Sequence, residues 1–262
     1  MRRTKQPGLL TEERRQKIVE LIETQGRVDV EPLAQRFRVS TVTVRSDLDA
    51  LAAMGALIRS RGGAVRRTDS LPYYPASVKA QLRKAEKQRI AKAAFALIRP
   101  EQTIALDSGT TTLEVARCIR AVKAPLTVIT NSLTIAIELC RTPQVSIVLP
   151  GGFIRPNSYS IIGPLAERTV QELNADHAFL GVDGLDPSYG LCTPDMLGAR
   201  LDALLIQISR EVTVVADSSK LGRRSLSVIG RTESIHRLIT DDQADPAMVE
   251  QIRALGVTVQ LV

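Results

Sequence analysis

Residues 39–64 read VSTVTVRSDLDALAAMGALIRSRGGA, a short apolar helix set among Arg45, Asp47, Asp49, Arg59 and Arg61 and closed by the pair Gly62-Gly63. Ser40 is a good N-cap for this helix, and Val44, Leu48 and Leu51, at i, i+4 and i+7, turn one face inward. At 100° per residue, Val42, Arg45, Ser46 and Asp49 then share the outward face, with Thr41 and Thr43 on its flanks. Gly55 is expected to stop the helix. The following ALIRSRGGAVRR reads as two short strands turned at Gly62-Gly63. Two readings fit this pattern: a small helical subdomain with a solvated charged face, or a helix and hairpin shaped to lie on nucleic acid.

Upstream, Thr11 can cap a first helix that carries Ile18, Leu21 and Ile22 on one face and ends at Gly26. In VDVEPLAQRF, Pro32 suits the first turn of a second helix with Leu33, Ala34 and Phe37 as its apolar stripe. Two helices joined by a tight turn at Arg38-Val39, the second with an exposed polar face, have the geometry of a helix-turn-helix that enters the major groove. There Arg45 can pair with a guanine edge, while the hydroxyls of Ser40, Thr41, Thr43 and Ser46 bind phosphates or bases. The hairpin with Arg59, Arg61, Arg66 and Arg67 is expected to form a wing along the DNA backbone.

The charge distribution favours a polyanionic partner for this part of the chain. Net charge is +7 over 262 residues, and residues 1–67 hold 14 Lys/Arg against 8 Asp/Glu while the remainder is almost balanced, at 21 against 20. With 44% hydrophobic residues, the chain can bury a substantial core. No run approaches the roughly 18 apolar residues of a membrane span, and the N-terminus lacks the apolar core of a signal peptide, so a cytoplasmic protein without membrane association is expected. Cys118, Cys140 and Cys192 are widely spaced, and neither His177 nor His236 has a second ligand at metal spacing. Neither a metal nor a cofactor is expected. Eight aromatic residues without an exposed stacking run argue against an RNA-binding or adaptor protein.

The segment TDSLPYYPASV, residues 68–78, breaks the helical patterning with two prolines and is expected to link a DNA-binding domain, 1–67, to a second domain, 79–262. Beyond it a long helix over about 79–98 is expected. Buried strands at 103–107, 126–130, 145–150, 177–183, 212–217, 236–241 and 257–262 then alternate with helices. This predicts an α/β fold with a mostly parallel sheet covered on both faces. Polar residues recur where those strands end. Asp107, Ser108, Gly109, Thr110 and Thr111 stand in DSGTTT, a strand end running into a helix that can cradle a phosphate or serve only as a capped turn. Asn131 and Ser132, Gly151 and Gly152 with Arg155 and Asn157, Asp183 and Gly184, and Lys220 follow later strands, so a phosphate-sized polar pocket at one sheet edge is expected. A competing reading makes Asp107, Asp183 and Lys220 the acid–base and electrophilic groups of a sugar isomerase.

The stretch GRVDVEPLAQRFRVSTVTVRSDLDALAAMGALIRSRGGA resembles, with correct spacing throughout, the N-terminal winged helix-turn-helix of the DeoR family of bacterial transcription regulators. The likeness continues in IALDSGTTT, VITNS, LPGGFIR, FLGVDG, GLCTP, VVADSSKLG and ITD, which are similar to the family's effector domain. Three positions depart from the pattern: Ser46 stands where a second arginine is frequent, Arg61 where a histidine is common, and Gly198-Ala199 where a Glu-Ala pair is frequent. The resemblance implies a C-terminal domain similar to ribose-phosphate isomerases that senses a phosphorylated sugar, and a repressor of a carbohydrate operon, nearest in motif to the amino-sugar branch. Double-stranded operator DNA and a sugar-phosphate effector are the expected partners. A single module does not bind both tightly and specifically, so a homo-oligomer is expected, a dimer or, by the resemblance, a tetramer.

Overall fold

The computed structural model describes residues 10–53, 56–65 and 76–262. The expected helix stop at Gly55, the wing residues Arg66 and Arg67, and residues 68–75 of the expected linker lie outside the described residues. The chain divides into two compact units, Met1–Leu82 and Arg83–Val262.

The first unit runs α1 (Thr11–Gln25), β1 (Arg27–Asp29), α2 (Val30–Phe37), α3 (Thr41–Ala53), β2 (Ile58–Ser60), β3 (Gly63–Val65) and α4 (Ala76–Gln81). Gly26 ends α1 in the left-handed region at φ 74°, its N–H donating to the Ile22 carbonyl at 2.8 Å. The turn between α2 and α3 places Arg38 at φ 54° and returns the Val39 N–H to the Ala34 carbonyl at 3.1 Å. The Ser40 hydroxyl then caps α3, accepting the Thr43 N–H at 3.1 Å. Ile18, Ile22, Leu33, Phe37, Val44, Leu48 and Leu51 form one apolar core. Strand β1 is not legible as a strand in the sequence. It pairs antiparallel with β3, which pairs with β2 on its other side. That central place explains Gly63, because a Cβ there would stand 2.0 Å from the Val28 carbonyl oxygen.

The second unit runs α5 (Lys84–Phe95), β4 (Thr103–Leu106), α6 (Thr110–Ile119), β5 (Leu126–Thr130), α7 (Leu133–Leu139), β6 (Val145–Val148), β7 (Phe153–Arg155), β8 (Ser160–Ile162), α8 (Pro164–Gln171), β9 (Ala175–Leu180), β10 (Gly184–Asp186), β11 (Gly190–Thr193), α9 (Met196–Gln207), β12 (Ser209–Val215), β13 (Ser227–Gly230), β14 (Arg237–Thr240), α10 (Pro246–Ala254) and β15 (Thr258–Leu261). The expected single helix over 79–98 is instead two, because Arg83 takes a left-handed φ of 49° between α4 and α5. Their apolar residues belong to different cores: Val78 and Leu82 pack in the first unit, Ile90, Ala91 and Ala94 in the second.

Seven strands form a parallel sheet in the order β15-β14-β12-β9-β4-β5-β6. Within β4, Ala105 joins one buried cluster while Ile104 and Leu106 join another, so both faces of the sheet are covered. The chain winds outward from β4 through β5 to β6, then crosses back to β9 on the far side of β4 and winds outward the other way. The reversal lies between β4 and β9, and a crevice opens outside the carboxyl ends of strands at such a point. The hairpin β7–β8 and the sheet β10-β11-β13 are antiparallel additions whose strands of three or four residues are too short to show a period in the sequence.

Candidate functional site

Two surfaces concentrate the residues singled out by the sequence. On α3, Val42, Arg45, Ser46 and Asp49 are exposed and Val44, Leu48 and Leu51 are buried, so the outward face is the one the periodicity predicts. Val42 is 69% exposed, an apolar side chain offered to solvent beside Arg45. Arg61 and Gly62 are exposed at the tip of the β2–β3 hairpin, with Gly62 at φ 82°. Gly63 is buried against β1 and offers no surface. Arg59, expected on the DNA backbone, is engaged within the protein: its Nε donates to Asp49 Oδ1 at 2.7 Å and its Nη1 to the Gly63 carbonyl at 2.5 Å.

Asp47, on the same helix, has no assigned role in the sequence. It is 2% exposed and accepts from Arg14 Nε at 2.5 Å and Arg15 Nε at 3.0 Å, both on α1. A buried carboxylate needs such partners, since an unpaired charge in the interior costs several kcal/mol. Helix α3 is thus fixed against α1 by an ion pair as well as by the apolar core.

The second surface is the switch point. Asp107 follows β4, is 5% exposed and faces the backbone N–H groups of Gly109 and Gly181, the latter just past β9. Burial pushes its carboxyl up to about 6, against the hydrogen bonds from Thr112, Gly181 and Gly109, with nearby Asp183 adding to the rise. Thr112 donates to the Gly109 carbonyl at 2.8 Å and holds the turn onto α6. Asp183 accepts from the Thr193 hydroxyl at 3.1 Å. Asp202 on α9 faces the same space; burial, then Asp107, Asp195 and Asp183, raise its carboxyl well above the ordinary value while Arg155 pulls it down. Arg155 at the end of β7 is paired with Asp195, which caps α9 by accepting the Gly198 N–H. Asn131, one residue past β5, is buried; its Nδ2 donates to the Ile161 carbonyl at 3.3 Å and its Oδ1 has no partner among the described residues.

Of the expected ligand residues, the structure brings together Asp107, Ser108, Gly109, Thr110 and Thr111 with Asp183 at the switch point, and joins Arg155 to them through Asp195 and Asp202. Asn131 and Ser132 follow the neighbouring strand, Ser132 as the cap of α7. Gly151 and Gly152 are exposed past β6, and Asn157 lies exposed in the β7–β8 turn. Lys220 sits beside Asp217 past β12, where Lys220, Ser219, Lys87 and Arg83 outweigh burial and lower the Asp217 carboxyl. Gly184 is buried in β10, its Cβ position 2.4 Å from the Arg223 carbonyl oxygen, so it shapes the sheet and offers a ligand nothing. Asp195 and Asp202 escaped the sequence reading, although Asp202 stands seven residues, close to two helical turns, after the Asp195 that caps α9. Among the described residues no group of His, Cys, Asp or Glu is placed to hold a metal ion, and no helix is long and apolar enough to cross a membrane.

The Asp107 carboxyl makes a pH prediction. Its folded value, about 6, lies above the ordinary 3.8, so between those pH values the folded chain keeps a proton that the unfolded chain has lost. This stabilisation is complete below about pH 4 and is lost as pH rises through about 6. Its size is on the order of 3 kcal/mol. Asp107→Asn should therefore be more stable than the native chain above pH 7 and show little advantage at pH 4, as read by urea unfolding followed by circular dichroism. An equal stability difference at both pH values would contradict the shift.

Comparison with known protein families matches residues 14–70 to the DeoR-like helix-turn-helix domain and residues 82–242 to the DeoR C terminal sensor domain. The chain is 38% identical over 254 residues to a putative aga operon transcriptional repressor of Escherichia coli O157:H7, covering 96% of this chain and 94% of that one. It is 38% identical over 232 residues to the transcriptional repressor AccR of Agrobacterium fabrum, covering 88% and 90%. It is 31% identical over 237 residues to the glycerol-3-phosphate regulon repressor of Escherichia coli K12, covering 90% and 92%. A solved ribose 5-phosphate isomerase A from Methanocaldococcus jannaschii aligns over 53% of this chain and 54% of its own, at 19% identity and a TM-score of 0.40.

Proposed function

The chain belongs to the DeoR family of transcription regulators, and from that premise we propose that it is a sequence-specific DNA-binding repressor of a carbohydrate operon, relieved by a phosphorylated sugar bound at the switch point. The observation that carries the reading is α3: a helix with Val42, Arg45 and Ser46 exposed along one face, capped by Ser40 and tied to α1 through the buried Asp47. Arg45 is the candidate base reader. Val42 suits a thymine methyl, while Thr41, Thr43 and Arg61 suit the phosphates. Anisotropy of the purified chain on DNA from upstream of its own coding region, against a scrambled duplex at physiological salt, tests this. Preference for the native sequence supports it, and equal binding to both contradicts it.

For the ligand, the amides that open α6 after Gly109 form a phosphate cradle at a helix N-terminus. Asp183, Asp202 and the unpartnered Asn131 Oδ1 are acceptors for sugar hydroxyls or an amine. The names of the aga operon and glycerol-3-phosphate relatives support a ligand of this class. The regulator works as a homo-oligomer, at least a dimer, because an operator of two half-sites needs two recognition helices. A ligand that prefers the arrangement unable to span both half-sites lowers operator affinity by the ratio of its affinities for the two arrangements.

Gly109 supplies a test of the cradle. A Cβ there would stand 3.0 Å from Thr112 Oγ1 and 3.1 Å from Asp107 Oδ1, so Gly109→Val displaces the groups that shape the turn. The variant should lose at least about tenfold in ligand affinity, the equivalent of 1.4 kcal/mol, with operator affinity intact. An unchanged ligand response would remove this turn from the site.

A further inference from the structure

The outward face of α3 carries a charge of the wrong sign for its partner. Asp49 is 64% exposed on the face that also presents Arg45 and Ser46, and a carboxylate there repels phosphate. Its counter-charge is Arg59 on β2, which divides its guanidinium between Asp49 Oδ1 at 2.7 Å and the Gly63 carbonyl at 2.5 Å. Both acceptors belong to rigid elements: Asp49 to the middle of α3, Gly63 to the central strand of the wing. Arg59 is 32% exposed and half-buried, whereas Arg61 at the hairpin tip is exposed.

We propose that Asp49 is a specificity-determining residue that works by holding Arg59 off the phosphate backbone. The proposal rests on the DNA-binding reading. A cation on a phosphate adds affinity for every sequence alike and releases a counterion, steepening the salt dependence by about 0.9 in log–log slope. Such a contact raises binding to the operator and to all other DNA together and does not separate them. Withholding Arg59 keeps the background of sequence-independent binding low, so that discrimination falls to the base-reading face of α3. The same ion pair braces the wing against that face through Gly63.

The test is a salt titration of the full chain on a random-sequence duplex, which needs no knowledge of the operator. Asp49→Asn should steepen the slope by about 0.9 and raise affinity for random duplex at 0.1 M salt by up to about eightfold. Arg59→Gln, which uncovers the Asp49 carboxylate, should gain neither slope nor affinity, and the double variant, which removes both charges, should return slope and affinity to native values. Asp49→Ser repeats the first arm with a shorter side chain, and circular dichroism verifies that each variant is folded. A double-variant slope flatter than the native one by about 0.9 overturns the proposal, because Arg59 would then already be on a phosphate. A gain from Asp49→Asn that persists in the double variant also overturns it, because the gain would come from the lost carboxylate alone. An unchanged slope in both Asp49 variants overturns it equally. A native chain with no salt-dependent binding to any duplex brings down the DNA-binding reading itself, a result distinct from the other three.

Discussion

Asp47→Ala is expected to unfold the N-terminal unit. The substitution removes the Asp47 carboxylate from the Arg14 guanidinium, itself 5% exposed, and from Arg15. Breaking a buried ion pair from one side costs about 3–5 kcal/mol, because the remaining charge stays desolvated. A unit of this size has a total stability on the order of 4–10 kcal/mol, so the loss removes most of it. Calorimetry should show the transition of the first unit shifted down by tens of degrees or absent, with that of the second unit in place. Replacing the pair rather than one member, as in Asp47→Leu with Arg14→Met, should recover much of the stability, since an apolar pair of similar volume is often neutral. A native-like transition in Asp47→Ala would mean that the ion pair contributes nothing to holding α3 on α1.

Arg45→Ala is expected to cost about 1–3 kcal/mol of operator affinity, a loss of roughly 5- to 150-fold, with a much smaller effect on random duplex. The asymmetry is the informative part. Arg45 is exposed at mid-helix with Val44 and Leu48 buried behind it, so truncation leaves the fold intact and its effect reports on DNA alone. Equal losses on both duplexes would make Arg45 a phosphate contact. Sequence readout would then fall to Val42, Thr43 and Ser46.

Where the polypeptide obeys a period, its sequence already shows the structure. The inward face of α3 follows from Val44, Leu48 and Leu51, and the parallel sheet from apolar runs such as those at 126–130 and 212–217, bounded by polar strand ends. Short antiparallel strands obey no such rule. Arg27–Asp29 reads as the approach to a helix until β3 lies beside it, and Phe153–Arg155 has too few residues to alternate. The break at Arg83 was hidden for another reason: helix propensity runs on through 79–98, and only the division of apolar residues between two cores separates α4 from α5.

The sites divide along the same line. Asp107 and Asp183 announce themselves by standing at strand ends, where the topology of a parallel sheet collects them. Asp202 sits inside an apolar helix, and its meaning depends on α9 packing over those strand ends. Asp47 and Arg59 take their roles from partners 33 and 10 residues away, and no local pattern encodes such pairs. Arg59 in particular reads as a DNA contact in the sequence and as a partner of Asp49 in the structure.

The central claim is that operator DNA and a phosphorylated sugar are linked through one protein, and reciprocal titration tests it most directly. Operator affinity is measured with and without a saturating sugar phosphate, and the affinity for that sugar phosphate with and without saturating operator. Linkage requires the two ratios to be equal, with a coupling of about 1–3 kcal/mol, or roughly 5- to 150-fold. Equal factors in that range, lost together in Gly109→Val, are the predicted result. Tight operator binding that no sugar phosphate alters, or a ligand that binds with the same affinity whether or not operator is present, would contradict it.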